Sequence, residues 1–341
     1  MTELINALTT GSFVWVTFTI SAALIVFAAM QLAKYGDVIA ARTGIGGLFI
    51  GVLLLAGATS LPEFLTGISA VLTNQPNIAA GNLFGSSAFN MLILVILDVL
   101  SRDQGIFHSA GLKNIISGSM AVFLGTVVLF FIAANPVLET FGFRIGWFGI
   151  DSLLIVAFYI LGIYKIHQNE VGQVSAEMSE EELSDIPTLK QGIWGFIAFS
   201  IVLVIATPIM VRCSTTIAEI TGLGTGFIGS TLVAIITSLP ELVTSIAALK
   251  IGSADMAFGN LFGSNMFNMF GIALTDLFYT EGRLLNNIDS SFIIVGMLGV
   301  LMTSFALVGN VTKFKRLKFI DVNSIILMLM YFGGMYLLYV M

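Results

Sequence analysis

Charge is what this sequence has least of. Only 10% of its 341 residues are Asp, Glu, Lys or Arg, while 57% are hydrophobic; a soluble globular domain carries about 25% charged residues. So little charge cannot cover a water-facing surface, and the expected solvent is a lipid bilayer. The net charge is −6, which excludes a basic surface for nucleic acid. One cysteine, Cys213, excludes an internal disulfide and a thiolate-rich metal centre. His108 and His167 are too far apart for a zinc-ligand pair. The start, MTELINALTTGS, lacks the basic region of a secretory signal, so the first apolar run is expected to be a retained helix.

A membrane helix needs about 20 mainly apolar residues. Ten stretches qualify, at roughly 12–33, 46–73, 77–100, 110–133, 144–166, 191–211, 226–250, 254–279, 290–310 and 320–341. The fold class expected is an all-α membrane protein of ten transmembrane helices. Lysine and arginine set the orientation. With the N-terminus outside, inner loops hold Lys34, Arg42, Arg102, Lys113, Lys165, Lys190, Lys250, Lys313, Lys315, Arg316 and Lys318, and outer loops hold Arg144, Arg212 and Arg283. Both termini are therefore expected to be extracellular, in a multi-pass protein of the cell membrane. The polar stretch 167–190, with Glu170, Glu177, Glu180, Glu181, Glu182 and Asp185, reads as a solvated cytoplasmic linker. It divides the chain into a first repeat, 1–166, and a second, 191–341.

The halves are related. TSLPE occurs at Thr59–Glu63 and Thr237–Glu241, and GNLFGS at Gly81–Ser86 and Gly259–Ser264, both pairs 178 residues apart. At that offset residues 43–98 align without a gap on 221–276, with 27 identities in 56 positions. Five spans per half is odd, so the second half must enter the membrane from the opposite side. The expectation is two inverted five-helix repeats, an architecture of secondary transporters with sites near the midplane.

The repeated segments are also the polar ones. Glu63 and Glu241 lie deep in apolar runs, where a carboxylate costs several kcal/mol and marks an ion pathway. Ala56, Thr59, Ser60 and Glu63 share one helical face, as do Ala234, Thr237, Ser238 and Glu241. Pro62 and Pro240 have no N–H to donate, so carbonyls one turn earlier can turn toward an ion. Asn82, Ser86 and Asn90 form a second row of oxygens, repeated by Asn260, Ser264 and Asn268. Of these, Ser86, Asn90, Ser264 and Asn268 are the expected ligands, and Asn82 and Asn260 are equally well read as supports. Glycines 81, 85, 259 and 263 allow the rows to approach. Asp98 and Asp276 also match across the repeat and read mainly as helix-end residues.

Hard oxygen donors suit calcium, which takes six to eight of them. Two glutamates neutralise one divalent ion, two monovalent ions or two protons, so competing cations can be served in turn. A pore would repeat about an axis along the membrane normal, and an enzyme would need a nucleophile or metal-binding histidines beside the acids. Neither pattern is present in the sequence.

The residues GATSLPEF with GSSAFN, and IITSLPEL with GSNMFN, resemble the two alpha-repeats of the sodium/calcium exchanger family, within the cation/calcium antiporter superfamily. The resemblance implies ion sites between the second, third, seventh and eighth spans. It implies calcium ligation by Glu63 and Glu241 with carbonyl help from Thr59 and Thr237. Sodium sites would use Ser60, Ser86, Ser238, Ser264 and the carbonyls of Ala56 and Ala234, with Asn90 and Asn268 bordering the central site. It implies sliding of the first and sixth spans for alternating access. The partners implied are the transported ions Ca2+ and Na+ and the lipid bilayer; no cofactor, catalytic residue or protein partner is expected. Three departures stand out. Ala58 and Ile236 replace the family's glycine before Thr-Ser. Asn268 stands where some members, including potassium-using ones, carry aspartate. Both copies of the second motif end in asparagine, where proton/calcium members tend to have glutamate. The expectation is therefore an Na+/Ca2+ antiporter, the alternative being an H+/Ca2+ antiporter or an Na+-coupled exchanger of another divalent cation.

Overall fold

The computed structural model describes Thr9 and residues 13–43, 57–101, 105–110, 114–170, 186–250, 252–317 and 319–340. The chain is a predominantly helical, multi-pass membrane protein. Its main helices are α1 (Val14–Thr43), α2 (Leu61–Leu72), α3 (Pro76–Leu100), α4 (Ile115–Ala133), α5 (Ile150–Glu170), α6 (Leu189–Thr221), α7 (Leu239–Lys250), α8 (Ala254–Thr275), α9 (Phe292–Thr312) and α10 (Val322–Val340). Among the described residues, six of these are long and apolar enough to cross a membrane, and the bent pair Thr225–Thr237 with α7, at 41°, makes a seventh if counted as one span. Two of the others fall short for physical reasons. The described part of α2 is only 12 residues, and its expected beginning, 46–56, lies outside the described residues. Helix α8 is long enough but spends its positions on Asp255, Asn260, Ser264, Asn265 and Asn268.

Several boundaries correct the sequence reading. Residues 144–149 are not the start of a span: Arg144–Ile145 (β1) pairs with Phe148–Gly149 (β2) in a tight hairpin, and α5 begins only at Ile150. Helices α1 and α6 are 30 and 33 residues long, about 45 and 50 Å at 1.5 Å per residue, so both outrun the ~30 Å hydrocarbon layer. Lys34, Arg42 and Arg212 therefore sit in these helices, not in loops. Arg283, expected as a loop charge, is only 2% exposed. The acidic segment 171–185 and Arg102, Lys113 and Lys318, expected in inner loops, lie outside the described residues.

Helix α6 starts with a capping box, in which Gln191 N–H donates to Thr188 Oγ1 at 3.3 Å and the Thr188 N–H donates to Gln191 Oε1 at 2.9 Å. Helices α1 and α6 pack along each other, and Val14, Phe18, Ile25, Ala28, Ala29, Leu32, Leu203, Ala206, Met210 and Ile217 form an apolar cluster that also takes in Ala58, Ile228 and Val233. Their outer faces expose Trp15, Ile20, Phe27, Trp194, Ile201 and Ile205, the side chains a lipid surface accepts. The remaining core divides into two further clusters built around α3 and α8 with α4, α5, α9 and α10.

Both ends of the bundle are tied by the acids that close α3 and α8. Asp98 accepts from Arg316 at 2.8 Å, from Asp321 N–H at 2.7 Å and from Ser324 Oγ at 2.7 Å. Asp276 accepts from the N–H of Gly149 at 2.8 Å and of Leu284 at 2.6 Å. These are structural, helix-end roles, as the sequence reading expects.

Candidate cation-binding site

The TSLPE segments break their helices at the serine. Ser60 and Ser238 adopt the same backbone angles, φ −89° and ψ 4°, and the helix restarts at Leu61 and at Leu239. Proline explains the restart: its fixed φ suits the first turn of a helix, where its missing N–H is no loss. The glutamate then falls in the first turn of the new helix, where the partial positive charge of the helix end favours a carboxylate. Before the second break, residues Gly229–Val233 form one wider π turn, a feature common at functional sites.

Close packing brings the segments together. A Cβ on Gly85 would lie 2.5 Å from the Ser230 carbonyl oxygen, and one on Gly81 2.9 Å from that of Gly226. Only glycine lets α3 lie this close to the π turn.

Each serine then reaches across to the acid of the other repeat. Ser60 Oγ donates to Glu241 Oε1 at 2.9 Å, and Ser238 Oγ donates to Glu63 Oε1 at 2.9 Å. Thr237 Oγ1 instead donates to Asn82 Oδ1 at 3.0 Å, and Thr59 is fully buried. Ser264 Oγ lies 3.2 Å from Glu241 Oε1 and 2.7 Å from Ser60 Oγ. Ser86 departs from this symmetry, donating to the Ala234 carbonyl at 3.3 Å and lying 3.4 Å from Thr237 Oγ1. The Ala234 carbonyl also keeps its helical bond from Ser238 N–H at 3.1 Å, so it has not left the ladder as the proline argument expects. Ala56 lies outside the described residues.

Asn82 and Asn260 support the acids from behind. Asn82 Nδ2 donates to the Glu63 carbonyl at 2.9 Å and its Oδ1 accepts from Thr237 at 3.0 Å. Asn260 Nδ2 donates to the Glu241 carbonyl at 3.4 Å. Asn90 Nδ2 donates to Ser264 Oγ at 3.0 Å and Asn268 Nδ2 to Ser87 Oγ at 3.3 Å.

Glu63, Glu241, Thr59, Thr237, Ser60, Ser238, Ser86, Ser264, Asn90 and Asn268 are all fully buried. Four acceptor oxygens of this set have no hydrogen-bond partner among the described residues: Oε2 of Glu63, Oε2 of Glu241, Oδ1 of Asn90 and Oδ1 of Asn268. Buried carboxylate and amide oxygens are normally satisfied. Here the acceptors left over are two charged and two neutral hard oxygens from four repeat-related residues, a donor set suited to a cation such as Ca2+ or Na+. Among the described residues, no three His, Cys, Asp or Glu side chains form a metal-binding group, so a site here rests on two acids and neutral oxygens.

Sequence reasoning missed Ser87, Asn265 and Thr303. Asn265 Nδ2 donates to the Ser87 carbonyl at 3.1 Å and to Thr303 Oγ1 at 3.0 Å. The available signal was the 178-residue offset, which aligns Ser87 with Asn265 as a polar pair that differs between the copies.

The family model described as sodium/calcium exchanger protein matches residues 13–166 and 191–340. The inner membrane protein YrbG of Escherichia coli (strain K12) is 30% identical over 267 residues, covering 76% of this chain and 78% of that protein. The sodium/calcium exchanger MaX1 of Methanosarcina acetivorans is 27% identical over 280 residues, covering 72% and 77%. A solved structure of the sodium-calcium exchanger NCX_Mj superposes with a TM-score of 0.60 at 21% identity, covering 96% of this chain and 99% of that one. Native YfkE superposes with a TM-score of 0.64 at 17% identity, covering 95% and 92%. At these identities the two structures speak to the fold alone.

Proposed function

The chain belongs to the sodium/calcium exchanger protein family, a family of transporters, and from that premise we propose that it is a secondary antiporter exchanging Na+ for Ca2+ by alternating access. The observation that carries the reading is the set of four buried, unpartnered oxygens on Glu63, Glu241, Asn90 and Asn268. Calcium binds between the two carboxylates, whose combined charge of about −2 it neutralises, with the carbonyls of Thr59 and Thr237 completing part of its shell. Sodium ions use Ser60, Ser86, Ser238 and Ser264 with the carbonyls of Ala56 and Ala234. Because Ser60 and Ser264 already share Glu241 Oε1, ions on the serines and an ion between the acids compete for the same oxygens. That competition couples the two fluxes.

The architecture in this proposal is ten helices arranged as two inverted repeats, 1–166 and 191–341, with 167–190 as a cytoplasmic linker and both termini outside. The crossed Ser60–Glu241 and Ser238–Glu63 bonds support a two-fold relation between the repeats. The long mutual packing of α1 and α6, through Ile25, Ala29, Leu32, Leu203, Ala206 and Met210, supports their movement as a pair.

The test is radioactive calcium uptake into proteoliposomes preloaded with sodium, compared with potassium, choline or an acidic lumen. Uptake requiring internal sodium is the expected result. Uptake driven only by the acidic lumen would replace sodium with protons, and sodium-dependent flux of another divalent cation in preference to calcium would change the substrate while keeping the site.

A further inference from the structure

We propose that Asn265 is a positioning residue for exchange: it fixes the Asn90 side-chain amide so that its carbonyl oxygen, not its NH2 group, is presented to the transported cation. The inference rests on the cation site described above but adds a residue outside its liganding set.

The Ser87 carbonyl can only accept a hydrogen bond. Asn265 approaches it at 3.1 Å, so the atom facing it must be the amide nitrogen Nδ2. Asn265 Nδ2 also meets Thr303 Oγ1 at 3.0 Å, and Thr303 spends its own proton on the Gly299 carbonyl at 2.7 Å, leaving its oxygen to accept. Both contacts assign the same orientation. Asn265 Oδ1 then points the other way and needs a donor. The atom it meets, 2.9 Å away, belongs to the Asn90 amide, which must therefore be Nδ2. The second contact of Asn90 Nδ2, Ser264 Oγ at 3.0 Å, accepts without difficulty while donating onward to Glu241 or Ser60. With the nitrogen so held, Oδ1 of Asn90 is the remaining polar atom, buried and without a hydrogen-bond partner among the described residues.

An amide rotated by half a turn has nearly the same shape but offers two N–H donors where it had offered an oxygen. Facing a cation, that exchange replaces attraction with repulsion. Asn90 on its own has no means of preferring the productive orientation before the ion arrives. A chain from Gly299 through Thr303, Ser87 and Asn265 supplies it from α9 and α3, elements that carry neither Glu63 nor Glu241. Asn268 is held differently, by Ser87 Oγ at 3.3 Å, whose proton goes to the Leu83 carbonyl at 3.0 Å. The two repeats thus orient equivalent amides by different neighbours.

The test is a double-mutant cycle on the full-length protein. It reads the KM for calcium in proteoliposomes and the calcium concentration that half-maximally raises the melting temperature in detergent. Asn265→Ala should raise both by roughly tenfold, the cost of one charge-assisted contact of about 1.4 kcal/mol. Asn90→Asp presents an oxygen whichever way it turns. In the Asn265→Ala background it should recover most of the lost affinity. In the otherwise wild-type protein it should lower the affinity, because the aspartate faces Asn265 Oδ1, another acceptor. Unchanged affinity in Asn265→Ala, or additive losses in the double variant, would overturn the proposal, since a purely structural role is not rescued at Asn90. Should Asn265→Ala not fold, Thr303→Val removes one of the two contacts that orient Asn265, and a smaller rise in KM, with maximal rate preserved, is expected; no rise overturns the idea. Wild-type protein that exchanges a different cation would defeat the sodium/calcium reading alone, and the same cycle is then read with that cation.

Discussion

The Ser238 hydroxyl donates to Glu63 Oε1 at 2.9 Å, across 175 positions of sequence. Its counterpart in the other direction, Ser60 to Glu241, has the same length. Each acid is thus held on one oxygen by the opposite repeat, while Oε2 of each has no hydrogen-bond partner among the described residues. One oxygen of each carboxylate fixes its direction and the other remains available to an ion.

Glu63→Gln and Glu241→Gln follow from this geometry. Glutamine can still accept the serine proton, so the protein should insert and elute from size exclusion as the wild type does. It removes a charge from the ion, and apparent calcium affinity should fall at least about 100-fold, near 2.7 kcal/mol. Near-normal uptake by either variant in proteoliposomes would remove that acid from the site.

Arg283 tests stability apart from transport. It is 2% exposed and pairs with the fully buried Asp151 and, at 3.2 Å, with Glu139. Removing one partner leaves a buried charge alone. Arg283→Met should therefore destabilise by about 3–5 kcal/mol, read as a lower melting temperature in detergent. Adding Asp151→Asn should restore much of the loss, because the orphaned charge is gone. A single variant that melts with the wild type would show that the pair is dispensable.

Gly85→Ala probes the close approach of α3 to the π turn. The new Cβ would meet the Ser230 carbonyl at 2.5 Å and its Cα at 2.6 Å, backbone atoms that cannot rotate away. A cost of about 1–3 kcal/mol is expected, together with slower exchange, since the displaced turn leads directly into Thr237 and Ser238. Gly142→Ala is the control for the substitution itself: its positive φ of 57° is strained, but nothing lies within 4 Å, so only stability should change.

Asp321, in the loop between α9 and α10, gives a pH dependence. Burial pushes its carboxyl up from 3.8 to about 6, helped by the hydrogen bond and charge of Asp98 and opposed by His108 and Arg316. The folded protein therefore holds this proton more tightly than the unfolded chain does. Its contribution to stability is fully present below 3.8 and is lost as pH rises toward about 6. Asp321→Asn is neutral throughout. The melting temperature of the variant minus that of wild type should rise across this window and then level off. A difference independent of pH would refute the assignment.

Much of the site is legible without a structure because its signal is covalent and local. Two acids inside apolar runs, each preceded by proline, and a 178-residue offset that pairs them, single out Glu63, Glu241 and their neighbours. Helical periodicity places Thr59, Ser60 and Glu63 on one face, whereas in the structure the helix restarts after Ser60 and the Ser60 hydroxyl turns to Glu241 of the other repeat. The apolar runs also locate most helix centres.

Other features depend on what packs against what. The hairpin at 144–149 is apolar enough to read as part of a span, yet Gly149 N–H is engaged by Asp276, 127 residues away. Arg283 looks like a loop charge until Asp151 and Asn135 are seen to enclose it. Sequence by itself determined which residues carry charge and oxygen into the bilayer, because composition and periodicity are properties of the chain. Only tertiary structure decided that each serine serves the opposite acid, and that the Ser87 carbonyl sets the Asn265 and Asn90 amides. Hydrogen-bond direction depends on atoms brought within 3 Å by helix packing, and no local pattern of residues contains that distance.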